Sequence, residues 1–167
     1  YQCGDFFYRY DAQNDRVALC GTTETISGDV IVPETLDGYT ITALGAGAFE
    51  NLPNITSITI PNTITYISSN CVYGCAKLKT IYVPASVTQI GENAFFSSCT
   101  SLENIFVDSQ NQHYTSVDGI LYNKDKTVLM TCPNAKKFES FTVPYGVTTI
   151  ADSAFELEPK ESCLIFS

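Results

Sequence analysis

The sequence predicts a mainly β fold: a right-handed solenoid of parallel strands on a unit of about 23 residues, with a β-hairpin cap at its start and a second hairpin inserted later. Three observations predict it. A strand-like phrase ending in proline recurs as Val30-Ile31-Val32-Pro33, Ile58-Thr59-Ile60-Pro61, Ile81-Tyr82-Val83-Pro84 and Phe141-Thr142-Val143-Pro144, with a copy lacking proline at Ile105-Phe106-Val107-Asp108. The closing positions 33, 61, 84, 108 and 144 lie 28, 23, 24 and 36 residues apart, so one unit recurs with insertions. Finally, 44% of the 167 residues are hydrophobic and only 16% charged, with Ile, Val, Phe and Tyr prominent, a palette that favours strands over long helices.

The chain reads as a single repeat domain over 1–167, in four stretches. Residues 1–25 form the cap, where Phe6-Phe7-Tyr8-Arg9-Tyr10 and Arg16-Val17-Ala18-Leu19 flank the turn residues Asp11 to Asp15. Such a hairpin closes the exposed end of a solenoid.

Residues 26–108 carry the repeats. Ile55, Leu78, Leu102 and Phe138 each stand three residues before a strand phrase, and Leu52, Cys75 and Cys99 three before that. After the proline come the pairs Ile41/Leu44, Ile64/Ile67, Val87/Ile90 and Val147/Ile150. Ala48-Phe49, Ala94-Phe95 and Ala154-Phe155 follow, with Cys71-Val72 in the remaining copy. A unit this short cannot close its own core, so its apolar residues are buried only when successive coils stack like positions into ladders. Cys75 and Cys99 are accordingly expected as buried free thiols, with Cys71 in the place of the ladder alanine. Proline lacks the N–H that a central ladder needs, so it marks the corner where each coil turns. Asp37-Gly38 signals a tight turn that lengthens the first coil.

Residues 109–137 read as a projecting hairpin, in which Gly119-Ile120-Leu121-Tyr122 and Thr127-Val128-Leu129-Met130 flank Asn123 to Lys126. Residues 138–167 hold the final repeats. No polar cap follows Phe166, so the repeat array is expected to continue beyond Ser167. Tyr1 is no initiator, which fits removal of a signal peptide ahead of it.

The formal charge of −9 repels nucleic-acid phosphates and anionic headgroups. No apolar run reaches the roughly 20 residues that span a bilayer. Nucleic-acid partners and membrane insertion of this segment are therefore not expected. His113 is the sole histidine and sits in a polar run, where a solvated loop residue is the simpler reading than a catalytic one. Cys71 and Cys75 lack a second nearby ligand pair for zinc. Leu44-Gly45-Ala46-Gly47-Ala48 lacks the third glycine and the helix of a phosphate cradle, and Asn123, Asp125 and Thr127 lack the glycine and bidentate Glu of a calcium loop. No catalytic set, metal site or cofactor is expected. The sequon Asn54-Ile55-Thr56 places Ile55 in the ladder, which disfavours glycosylation. Cys3 and Cys20 fall near one end of the cap hairpin, where a disulfide is conceivable in an oxidising compartment.

Side chains alternate across a pleat, so each coil turns one residue type inward and another outward. The outward column comprises Ile31, Thr59, Tyr82, Phe106 and Thr142, with Ser57, Thr80, Asn104 and Ser140 alongside. Aromatics beside hydroxyls make a recognition strip, although the same residues also stabilise a sheet through cross-strand packing. Tyr122 on the inserted hairpin is a further candidate contact.

The phrases Ile64-Thr65-Tyr66-Ile67, Cys75-Ala76-Lys77-Leu78-Lys79-Thr80-Ile81-Tyr82-Val83-Pro84 and Val87-Thr88-Gln89-Ile90-Gly91-Glu92-Asn93-Ala94-Phe95 resemble the BspA-type leucine-rich repeat family, over most of the chain from Val30 to Phe155. The stretch Val117 to Thr127 is similar to an insertion common in that family. Departures are Cys71-Val72 for Ala-Phe, Asp108 for proline, and one residue too many in Phe95 to Cys99. The resemblance implies a cell-surface or secreted protein of the kind found in mouth and gut bacteria and some protists, active in adhesion. The expected function is thus a non-catalytic module that binds an extracellular protein or glycan. A structural spacer within a larger surface protein is the alternative, and an enzyme lies further off.

Overall fold

A computed structural model describes residues 1–13, 16–95, 98–136, 140–155 and 163–166. The expected ladder position Phe138, the turn residues Asn14 and Asp15, and Phe96 and Ser97 of the stretch with one residue too many lie outside the described residues. Among those described there is no helix, and the chain winds into a β-solenoid of about five turns with parallel strands.

Stacking of like positions organises the coils. Strands Gly28–Ile31, Ile55–Thr59, Thr80–Val83 and Asn104–Val107 form one parallel sheet in that spatial order, so Val30, Ile58, Ile81 and Ile105 become direct neighbours. All of them are buried, as are Leu52, Cys75 and Cys99 in the ladder behind them. A second sheet begins with the cap and continues through Tyr39–Leu44, Tyr66–Ile67 and Gln89–Ile90, aligning Leu44, Ile67 and Ile90. On a third side Phe49–Glu50 pairs with Val72–Tyr73, so Val72 takes the place that phenylalanine holds in the preceding coil.

The cap is an antiparallel hairpin of Phe6–Asp11 and Arg16–Thr22, whose second strand lies parallel to Tyr39–Leu44. Asp37 and Gly38 both adopt positive φ (49° and 82°), and Leu36 pairs with Tyr39 across them, as a two-residue hairpin turn requires. The Tyr8 hydroxyl donates to the Asp37 carboxylate at 2.7 Å, tying this turn to the cap.

Cys3 and Cys20, for which a disulfide was conceivable, are both free thiols. The strand Gln2–Cys3 pairs with Phe6–Asp11, which in turn separates it from the strand carrying Cys20. Two strand spacings amount to roughly 10 Å, beyond the ~7 Å that a disulfide can bridge.

The insertion also departs from expectation. It does not project, and it is a three-stranded meander of Tyr114–Val117, Ile120–Asn123 and Val128–Thr131. Its last strand pairs in parallel with Thr149–Ile150, occupying the slot of one coil's second strand. The middle strand is covered on both faces: Leu121 joins the main core, while Ile120, Tyr122 and Leu129 join a second cluster with Phe141, Val143 and Ala154. The stacked interior is therefore split into two cores by this strand.

Candidate binding face

The sheet of four parallel strands turns two columns of side chains outward. Ile31, Thr59, Tyr82 and Phe106 stand in register along one, and Asp29, Ser57, Thr80 and Asn104 along the other. Hydrogen-bonded strands lie about 4.8 Å apart, so rings on adjacent rungs must meet. The Tyr82 and Phe106 rings stack with centroids 5.5 Å apart and planes 26° from parallel, and both stay over 40% exposed. Ile31 at the far end is 73% exposed.

The second column is polar and partly locked. The Asp29 carboxylate accepts from the Ser57 and Thr56 hydroxyls at 2.7 and 2.8 Å. Those two bonds, Ser57 first, hold its pKa below the ordinary carboxylate value.

At the other end, Asn104–Val107 is the edge strand, and the insertion satisfies it. Ile105 N–H donates to the Gly119 carbonyl at 2.9 Å and Val107 N–H to Ser116 Oγ at 3.1 Å. Glycine is needed at 119 twice over, because its φ is +75° and a Cβ there would lie 2.3 Å from Asn104 Oδ1. Beyond the edge opens a depression of about 420 Å³, lined among the described residues by Asn104, Phe106, Ser116, Asp118, Gly119 and Lys136.

Asn111 anchors the start of the insertion. Fully buried, it donates from Nδ2 to the Pro84 and Val87 carbonyls at 2.8 and 3.0 Å, and its Oδ1 accepts from the His113 and Tyr114 N–H groups at 2.8 Å each. The Tyr114 hydroxyl then accepts from Ile90 N–H, so the insertion covers the edge of the second sheet as well.

A family model for the BspA type leucine rich repeat region matches residues 34–118 in six copies, half of the chain. The chain belongs to that family. Its fold is similar to a leucine-rich repeat protein from Bacteroides ovatus, at 25% identity and a TM-score of 0.63, covering 93% of this chain and 38% of that one. It is also similar to the T. pallidum leucine-rich repeat protein, at 18% identity and a TM-score of 0.54, covering 87% of this chain and 61% of that one. The chain thus spans less than two thirds of either relative's length. Comparison with curated proteins finds no match.

In this BspA-type chain the structure brings Ile31, Thr59, Tyr82 and Phe106 together and leaves two expected site residues elsewhere. Thr142 is exposed, but its strand Ser140–Val143 pairs only with Cys163–Phe166 among the described strands, because the insertion interrupts the stacking after Phe106. Tyr122 is 2% exposed, packed in the second core, and so is not a surface contact. His113 is an exposed loop residue with its ring tilted against Tyr114. Among the described residues no cluster of His, Cys, Asp or Glu could hold a metal ion. Ser116, Asp118 and Lys136 were missed by sequence reasoning. Only the placement of the insertion's first strand (Ser116), the turn after it (Asp118) and the insertion's last residues (Lys136) relates them to Phe106, and repeat spacing carries no such information.

Proposed function

We propose that this chain is a non-catalytic binding module of a cell-surface or secreted protein, and that it recognises an extracellular protein or glycan through the open sheet face. The observation that carries this reading is the stacked, half-exposed Tyr82–Phe106 pair on a rigid parallel sheet. Large apolar groups left in water on a fixed scaffold cost free energy that a partner's contact recovers, and aromatic anchors dominate such interfaces. Ile31 extends the apolar column, and the hydroxyl and amide groups of Ser57, Thr80 and Asn104 run beside it. These groups suit recognition better than proton transfer. The surface or secreted location follows the habit of the family.

The test is a screen of the folded chain against immobilised extracellular-matrix proteins and a glycan array, repeated with Tyr82→Ala/Phe106→Ala. Binding that falls at least about tenfold in the double variant supports the face. Unchanged binding removes it, and a chain that binds nothing at all is a spacer.

A further inference from the structure

The geometry points to the depression beside Phe106 as a subsite for a neutral saccharide ring, with the outer face of Phe106 as its stacking platform. This rests on the binding role of the open face proposed above and names its ligand class and location.

Phe106 stands on the edge strand, and Tyr82 stacks against it from the neighbouring rung. One ring face is thus taken. The depression is lined by Phe106 and not by Tyr82, so it opens on the opposite face, where the next rung of the column would stand. The insertion has displaced that rung. Its volume of about 420 Å³ falls within the ~300–1,000 Å³ of small-ligand sites.

The lining selects the chemistry. A pyranose has an apolar C–H face that stacks on an aromatic ring, and a rim of hydroxyls that each both donate and accept. Around Phe106 stand an acceptor in the Asp118 carboxylate, a donor in the Lys136 ammonium, and both in the Asn104 amide. Ser116 Oγ already accepts from Val107 N–H, which leaves its proton to donate outward. Among the described lining residues one negative and one positive group offset each other, so neither a polyanion nor a polycation is favoured.

A peptide strand is disfavoured by the same geometry. Adding a strand to this edge needs the free N–H groups of Ile105 and Val107, and Gly119 and Ser116 occupy them.

The test uses saturation-transfer NMR and titration calorimetry with cellohexaose, chitohexaose and mannohexaose, after a glycan array that includes sialylated and sulfated forms. At least one neutral saccharide should bind. Its affinity should fall about tenfold or more in Phe106→Ala, survive in Phe106→Tyr, and weaken in Asp118→Asn/Lys136→Met. It should change little between about 0.1 and 1 M salt, since the described lining carries no net charge. Circular dichroism of each variant confirms the fold. The inference is overturned if no neutral saccharide binds, if only anionic ones do, or if Phe106→Ala binds as well as the parent. A matrix protein that binds through Tyr82 and Phe106 while every saccharide fails overturns this subsite and leaves the broader reading standing. Failure of both ligand classes removes both.

Discussion

Truncating the middle of the central ladder measures how strongly neighbouring coils hold one another. Ile81 is fully buried between Ile58 and Ile105, with Ile81 paired in register to both. Ile81→Ala removes three carbon groups, worth about 2.4 kcal/mol at ~0.8 kcal/mol each. A residual void of about 60 Å³ adds about 1.4 kcal/mol at ~24 cal/mol per Å³. The expected loss is therefore about 4 kcal/mol, within the ~2–5 kcal/mol span of such truncations. Equilibrium urea unfolding followed by circular dichroism reads it directly. With a slope of about 2 kcal/mol per molar, the midpoint should fall by about 2 M. Ile31→Ala, one residue from a neighbouring rung but 73% exposed, should change stability by under about 0.5 kcal/mol. Comparable costs at the two positions, or a loss below about 1 kcal/mol at Ile81 with an unchanged slope, would refute the stacked-ladder account.

Other perturbations probe the parts that the ladder does not. Asn111→Ala strips partners from two carbonyls and two N–H groups in a fully buried site, so it should cost about 3 kcal/mol or more by urea unfolding, and local hydrogen exchange at Tyr114 should rise. The Tyr8–Asp37 bond should make stability pH-dependent at both extremes. The hydrogen bond to Asp37, then burial, pushes Tyr8 up to about 12, so its contribution is whole below pH ~10 and fades as pH climbs towards that value. Asp37 is held below its ordinary value by the Tyr8 bond first, so its contribution is whole above pH ~4 and is lost as pH drops through the lowered value. Thermal midpoints across pH should show both limbs, and Tyr8→Phe should flatten them. Among the described cysteines, iodoacetamide should label Cys3 and Cys20 in the native chain well before Cys71, Cys75 and Cys99. The Cys99 thiol's hydrogen bond pulls Cys75 below its ordinary pKa, yet complete burial keeps the reagent away. Equal labelling by mass spectrometry in native buffer would contradict that packing.

The column Ile31, Thr59, Tyr82 and Phe106 was legible in the sequence because ladder register follows from repeat spacing: a step of 23 or 24 residues, or 28 in the first coil with its added Asp37-Gly38 turn, returns the chain to the same corner of the next coil. Alternation then assigned Ile58, Ile81 and Ile105 inward and the column outward. The cysteine ladder positions and the Val72 substitution were readable for the same reason.

The insertion was not readable in this way. Its two apolar phrases and the turn residues between them identify a hairpin but not what lies above and below it. Tyr122 and Thr142 therefore looked available. In the fold, Ile120–Asn123 is sandwiched between two cores, and Thr142 is carried to another sheet. Ser116, Asp118 and Lys136 meet Phe106 only because the insertion fills the place of a coil and its turn folds onto the edge strand.

By itself the sequence determined the repeat, the ladders and the outward column, since these depend on local periodicity repeated from coil to coil. Tertiary structure alone decided where the column ends and what stands beside its last ring. That outcome depends on which unpaired backbone groups at a sheet edge the inserted segment satisfies, a competition between distant groups that no local pattern records.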